Sequence, residues 1–334
     1  MAVEAPDHGD ALAASRTTLE LMANLMEASF EALGEGAILA SMPAYMERFG
    51  RDNAKWLQEH HGIRPPKGAG SSLAAMNFIS DVTATPFEMV EATTGHATKR
   101  LATCEFLDSF HDRGDFPKTM MCLLHRAAYQ GSVNGLVPPE EGFDVQIRSR
   151  ILFGDPHCDF DVVARSGKDA TEDLPALPMA TMDQDQQDWL AYAFYTTLLT
   201  AFVDYITRQL PAEQVEQMMQ DAARKVGVTV HALMDAAGML PDDPTKAAAA
   251  VLRLGGRSFE SGATVRACPQ AEHIIETTKA GDPASQQAAR ANACRLCQHF
   301  VAGAVAGVDP GAKVVRDGSI ALGDATCGYR VERS

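Results

Sequence analysis

Cys122-Leu-Leu-His125-Arg-Ala-Ala-Tyr-Gln-Gly131 lines up without a gap on Cys294-Arg-Leu-Cys297-Gln-His-Phe-Val-Ala-Gly303. Two flanking blocks repeat with it. Gly154-Asp155-Pro-His-Cys158-Asp-Phe160 matches Gly323-Asp324-Ala-Thr-Cys327-Gly-Tyr329, and Thr103-Cys104 matches Ala267-Cys268. The offsets are 172, 169 and 164 residues, so three separated blocks share nearly one register shift and hold all seven cysteines. The reading that follows is two copies of one domain in a single chain.

The order of elements within each copy supports an α+β class. Apolar residues recur at helical spacing from Asp10 to Ala32 and again from about Gly36 to His60. The methionines Met22, Met26, Met42 and Met46 fall on these stripes, where methionine fills core gaps. Residues 143–153 alternate with period two, turn at Gly154-Asp155 and return from Cys158, which predicts a β-hairpin. A helix starting near Phe116-Pro117 carries Cys122 and His125. Residues 313–322 and 327–332 predict the second hairpin, and 286–305 the helix that carries Cys294 and Cys297. Thr245 to Leu254 predicts another helix, stopped by Gly255-Gly256. Each half is then a helical cap plus a small antiparallel β/helix unit ending in a β-hairpin. The expected boundaries are 1–165 for the first copy, 166–187 for an acidic, proline-containing linker, and 188–334 for the second copy.

The composition narrows the partners. At 334 residues, with 46% hydrophobic and 22% charged residues, the chain is long enough for two globular domains. A net charge of −15 argues against a nucleic-acid backbone or an anionic membrane surface as partner. No apolar run is long enough for a membrane span. The N-terminal residues lack a basic region followed by an apolar core, so a cytoplasmic location is expected. In a reducing compartment an odd number of cysteines points to thiolates on metal, or to reactive thiols, rather than to disulfides.

Cys-x-x-His and Cys-x-x-Cys each place two soft donors one turn apart on one face. If strand ends and hairpin meet there, the first copy offers Cys104, Cys122, His125 and Cys158, and the second offers Cys268, Cys294, Cys297 and Cys327. Both are tetrahedral zinc sets, with an iron–sulfur cluster on the all-cysteine set as the alternative cofactor. The opposing reading is that the cysteines are small apolar residues of a core. The first copy also has His96, His111, His157, Glu105 and Asp108 near its blocks, and histidine exchanges protons near neutral pH. If one copy is catalytic, these residues favour the first.

The sequence of Cys, then Cys-x-x-(Asp, His or Cys), then a Gly-Asp-x-x-Cys-x-(Phe/Tyr) hairpin resembles the L-2-amino-thiazoline-4-carboxylic acid hydrolase family. More distantly it is similar to the 4-vinyl-reductase-type domain, a small-molecule-binding module that in some sensors carries a cysteine-ligated zinc. The likeness covers Phe87–Val163 and Ser258–Val331. It departs from the hydrolase pattern where an acid commonly follows the middle cysteine by three residues: His125 and Cys297 stand there. The resemblance implies hydrolysis of a non-peptide C–N bond in a small cyclic amidine or sulfur heterocycle. Cys122, His125 and Cys158 would be the catalytic residues, through metal-bound water or a thiolate nucleophile. The alternative is a non-catalytic small-molecule-binding or carrier module with structural zinc. Two copies in one chain further suggest a pseudo-dimer, which could still assemble as a homo-oligomer.

Overall fold

The computed structural model describes residues 8–332, apart from 105, 168, 176–182, 237–242, 254–257, 262–263, 269–270, 272–274 and 276–282. The Gly255-Gly256 helix stop expected from sequence lies outside the described residues, as does Glu105. In chain order the helices are α1 (His8–Leu33), α2 (Glu35–His61), α3 (Ala69–Ser72), α4 (Ala74–Val82), α5 (Leu107–Phe110) and α6 (Asp115–Asn134). Then follow α7 (Gln184–Gln209), α8 (Ala212–Ala236), α9 (Pro244–Arg253) and α10 (Pro283–Val308). The strands are β1 (Phe87–Ala92), β2 (His96–Leu101), β3 (Phe143–Ile147), β4 (Cys158–Ala164), β5 (Ser258–Ser261), β6 (Thr264–Ala267), β7 (Lys313–Asp317) and β8 (Cys327–Glu332). Among the described residues no helix is long and apolar enough to cross a membrane.

The chain divides into two compact units. One is Gly34–Met182; the other is Asp183–Ser334 together with the segment before Gly34. Helix α1, which the sequence reading assigned to 1–165, therefore belongs with the later unit, where it packs along α7 and α8. An apolar stripe states which face of a helix is covered, not by what. The expected linker is tied down over part of its length. Thr94 N–H donates to Thr171 O at 2.8 Å, and Ser71 donates through its N–H and its hydroxyl to Asp173 Oδ2, both at 2.9 Å.

The 34–182 unit has a four-stranded antiparallel sheet in the order β1-β2-β4-β3. Helices α2 and α6 pack along each other, and α6 packs on β3. The period-two rule sends Ala97, Lys99 and Leu101 of β2 to the covered face, meeting Phe160 and Val162 of β4. Lys99 is fully buried. A buried ammonium must find donors' partners or faces of negative potential. Its Nζ donates to Met76 O at 2.9 Å and Ser80 Oγ at 2.7 Å, and lies 4.5 Å from the Phe87 ring centre and 5.5 Å from that of Tyr129. Lys99 thus ties α4 to the sheet.

The 183–334 unit has its own four-stranded antiparallel sheet, in the order β5-β6-β8-β7. Helices α8 and α10 pack along each other, and α10 packs on β7. Counted within each sheet, the two strand orders are the same. So is the way the long helices meet. A Cβ on Gly50 of α2 would lie 2.1 Å from Ala128 O and 2.9 Å from Ser132 N of α6. A Cβ on Gly227 of α8 would lie 2.5 Å from Phe300 O and 2.7 Å from Ala304 N of α10. Ala128 and Phe300 are matched in the gapless alignment above, and Ser132 and Ala304 continue it. From the other side, Gly131 faces Glu47 O and Gly303 faces Arg224 O, at 1.9 and 2.6 Å from their would-be Cβ positions. Glycine at these sites lets two helix backbones touch.

That close approach generates a prediction. Gly131→Leu must push α2 from α6 and should destabilise the protein by about 3 kcal/mol or more. Gly36→Ala, where nothing lies within 4 Å of the added carbon, should be neutral or gain up to about 1 kcal/mol. Chemical denaturation of both variants beside the parent measures the difference; equal midpoints would rule out the close crossing.

Candidate functional site

The repeated hairpins show what the last cysteine of each block does. In the first, Arg150 N–H donates to Asp155 Oδ2 at 2.6 Å, Ile151 N–H to Cys158 Sγ at 3.2 Å, and Gly154 N–H to Ile151 O at 2.9 Å. In the second, Ser319 N–H donates to Asp324 Oδ2 at 2.7 Å, Ile320 N–H to Cys327 Sγ at 3.1 Å, and Gly323 N–H to Ile320 O at 3.1 Å. Gly154 and Gly323 have φ of 91° and 106°, a left-handed conformation that favours glycine. The Gly-Asp-x-x-Cys spacing is therefore that of a turn whose free N–H groups are satisfied by a carboxylate and a sulfur.

Two further cysteines meet side-chain hydroxyls. Cys294 Sγ lies 3.0 Å from Ser319 Oγ, and Tyr329 donates its hydroxyl to Cys297 Sγ at 3.2 Å. Cys268 and Cys327 belong to an apolar cluster with Leu252, Val301 and Val305, and Cys294 and Cys297 pack against it. All seven cysteines are free thiols; Cys104 is partly exposed, and Cys122 and Cys158 are buried. His125, one turn from Cys122 on α6, sits edge-on to Phe106, Tyr129 and Phe160, with ring centres 5.4, 5.0 and 5.2 Å away.

These placements correct the metal assignment. Among the described residues no group of three or more His, Cys, Asp or Glu side chains is placed to hold a metal ion. Neither the set Cys104, Cys122, His125 and Cys158 nor the set Cys268, Cys294, Cys297 and Cys327 is a zinc or iron–sulfur site. The physical reason is that the sulfurs meet backbone N–H groups, hydroxyls and apolar neighbours instead. Burial, with a smaller push from the neighbouring Cys158 and a partial offset from Arg150, brings the Cys122 thiol up to about 11. Burial likewise pushes Cys327 up to about 11 and raises Cys294. These thiols are neutral residues of a core. The hydrolase built on a metal or on a Cys122 or Cys158 thiolate is overturned with them, and so is the binding module built on structural zinc. The other histidines stand apart. His96 pairs with Glu91 at 2.9 Å, His111 with Asp112 at 2.7 Å and His157 with Asp159 at 3.2 Å. The Asp108 side chain lies outside the described residues.

A groove of about 290 Å³ opens elsewhere, in the 183–334 unit, between α8, α10 and the start of β7. Its apolar part is Ala302, Ala306, Ala312, Pro310 and Val314; Gln220 and Gln298 add amides, His299 an imidazole, and Arg224 and Lys313 two cations. No carboxylate lines it among the described residues. Glu216 is nearby but engaged, with His299 Nε2 2.8 Å from its Oε1 and Arg295 3.8 Å from its Oε2. Among the described residues neither Arg224 nor Lys313 makes an ion pair. Models of protein families, curated proteins and solved structures give no match to this chain.

The sequence reading missed these residues because it followed cysteine and histidine. The signal was nevertheless in the alignment that opened it. The gapless match sets Ala302 against Gln130, and its continuation sets Ala306 against Asn134.

His125 carries the prediction from the thiol and histidine geometry. Burial among the rings, with the Lys99 charge as a smaller cause, lowers it to about 3. Its folded value lies below the unfolded value near 6.5, so the unfolded chain binds the extra proton first. Stability is full above about pH 6.5 and is lost as the pH falls towards 3. His125→Phe should flatten this slope in a plot of melting temperature against pH. An unchanged slope would show that His125 is not held neutral.

Proposed function

We propose that this chain is a duplicated α+β unit whose later copy binds a small organic anion in the groove between α8, α10 and β7. The duplication is supported by the shared strand order, the matched helix contacts and the matched hairpin turns. The binding reading rests on one observation: a groove with an apolar floor and two cations that make no ion pair among the described residues, on a chain whose net charge is −15. Ligand sites combine mostly apolar walls with a few convergent polar groups. An anion at Arg224 and Lys313 gains charge-assisted hydrogen bonds, while its carbon skeleton covers Ala302, Ala306 and Ala312. The site offers recognition; none of its residues is arranged as a nucleophile with a base.

A melting-temperature screen with butyrate, hexanoate, succinate and glutarate tests the reading. A ligand at a hundred times its Kd stabilises by about 2.7 kcal/mol, which shifts the melting temperature by several degrees. Arg224→Glu with Lys313→Glu should abolish the shift, and rising salt should weaken it. If none of the four acids shifts the parent, or if the double variant responds as the parent does, the groove is not an anion site.

A further inference from the structure

The 34–182 unit shows what this groove is missing. At the corresponding place two carboxamides of α6 bridge to β3. Gln130 accepts from Val145 N–H through Oε1 at 2.8 Å and donates to Phe143 O through Nε2 at 2.5 Å. Asn134 accepts from Phe143 N–H at 2.8 Å and donates to Phe143 O at 2.9 Å. Together they cap the outer edge of β3 and fill the gap between helix and strand.

In the 183–334 unit the register replaces Gln130 by Ala302 and Asn134 by Ala306, both of which line the groove. Val314 stands for Val145. Its carbonyl accepts from Gln298 Nε2 at 3.2 Å, so it faces α10. The N–H and C=O of one strand residue point to the same edge, so the Val314 N–H faces α10 as well. Alanine at 302 leaves it no counterpart of the Gln130 oxygen.

The charges change with the plug. Arg224 of α8 stands for Glu47 of α2, a match fixed by Gly303 lying against Arg224 O as Gly131 lies against Glu47 O. Lys313 stands for Asp144. In the first unit both acids are already paired, Glu47 with Arg51 at 2.5 Å and Asp144 with Arg165 at 2.7 Å. In the second unit both positions are cations without ion partners among the described residues.

We infer that the groove is the vacated seat of two carboxamide side chains, and that a short-chain carboxylic acid refills it. One carboxylate oxygen takes the place of the Gln130 amide oxygen and accepts from Val314 N–H. Arg224 and Lys313 balance its charge, and the alkyl part lies on Ala302 and Ala306. The inference rests on the anion-binding reading above and narrows it to a position and a ligand class.

Restoring the plug tests it. Ala302→Gln with Ala306→Asn copies the side chains that the same backbone accommodates in the other unit. Calorimetric titration with butyrate and hexanoate should show affinity falling by about tenfold or more in this variant, with its melting temperature unchanged or raised. In the parent, the Val314 amide resonance should move as hexanoate is added, which reads the contact without any substitution. If the parent binds hexanoate but the plugged, folded variant binds it equally, or if Val314 does not move, the seat is refuted and the anion site stands. If the parent binds neither acid, the seat is refuted; if succinate and glutarate fail as well, the anion-binding reading falls with it.

Discussion

The contact on which each unit depends is the one between two helix backbones. Glycines on both partners let α2 meet α6, and α8 meet α10, at distances that any side chain would prevent. A crossing this close leaves little freedom of angle or offset. The second helix of each pair also packs on the edge strand of its sheet. The width of the gap between helix and strand follows from backbone geometry, and its contents follow from two positions one helical turn apart on α6 or α10. With Gln130 and Asn134 there, the gap is closed by hydrogen bonds; with Ala302 and Ala306, it is open.

The same reasoning explains why the cysteines looked like ligands. Their spacing is regular because the turn is regular. The hairpin turn leaves N–H groups outside the strand ladder that need an acceptor, and a small residue with a sulfur can supply one beside an apolar cluster. Cys158 and Cys327 accept from the N–H seven residues before them, as Asp155 and Asp324 accept from the one five before. A metal ligand and an acceptor of this kind obey the same pattern in one dimension. The environment that separates them is three-dimensional: how dry the sulfur is, and what its lone pairs meet.

Much of the fold was legible for a related reason. The period-two runs at 143–153 and 158–163 hold β3 and β4, and the helical stretches around Cys122 and Cys294 are α6 and α10. The change of offset from 172 to 169 between the helix and hairpin blocks marks a turn before β7 that is three residues shorter than the one before β3. What could not be read was which surface covers α1, because its pattern is satisfied by any apolar partner. The groove was also hidden. A cavity is an absence of side chains, and alanine at 302 and 306 carries no chemical signature until the other unit shows what could stand there.

An open strand edge has a second explanation that needs no ligand. Natural sheets guard exposed edges with proline and lysine, which discourage pairing with another chain. Pro310 and Lys313 at the start of β7 fit that purpose as well as they fit a binding site. Arg224 separates the two accounts. It lies on α8, across the groove from the strand, where a charge does nothing to block an incoming strand at the edge. A guard also has no use for a floor of alanines, since the carboxamides of the other unit already protect β3 by occupying the edge itself. Removing that cap sacrifices hydrogen bonds at an exposed strand. Two cations at the opening, one from α8 and one from β7, are a feature that edge protection alone does not account for.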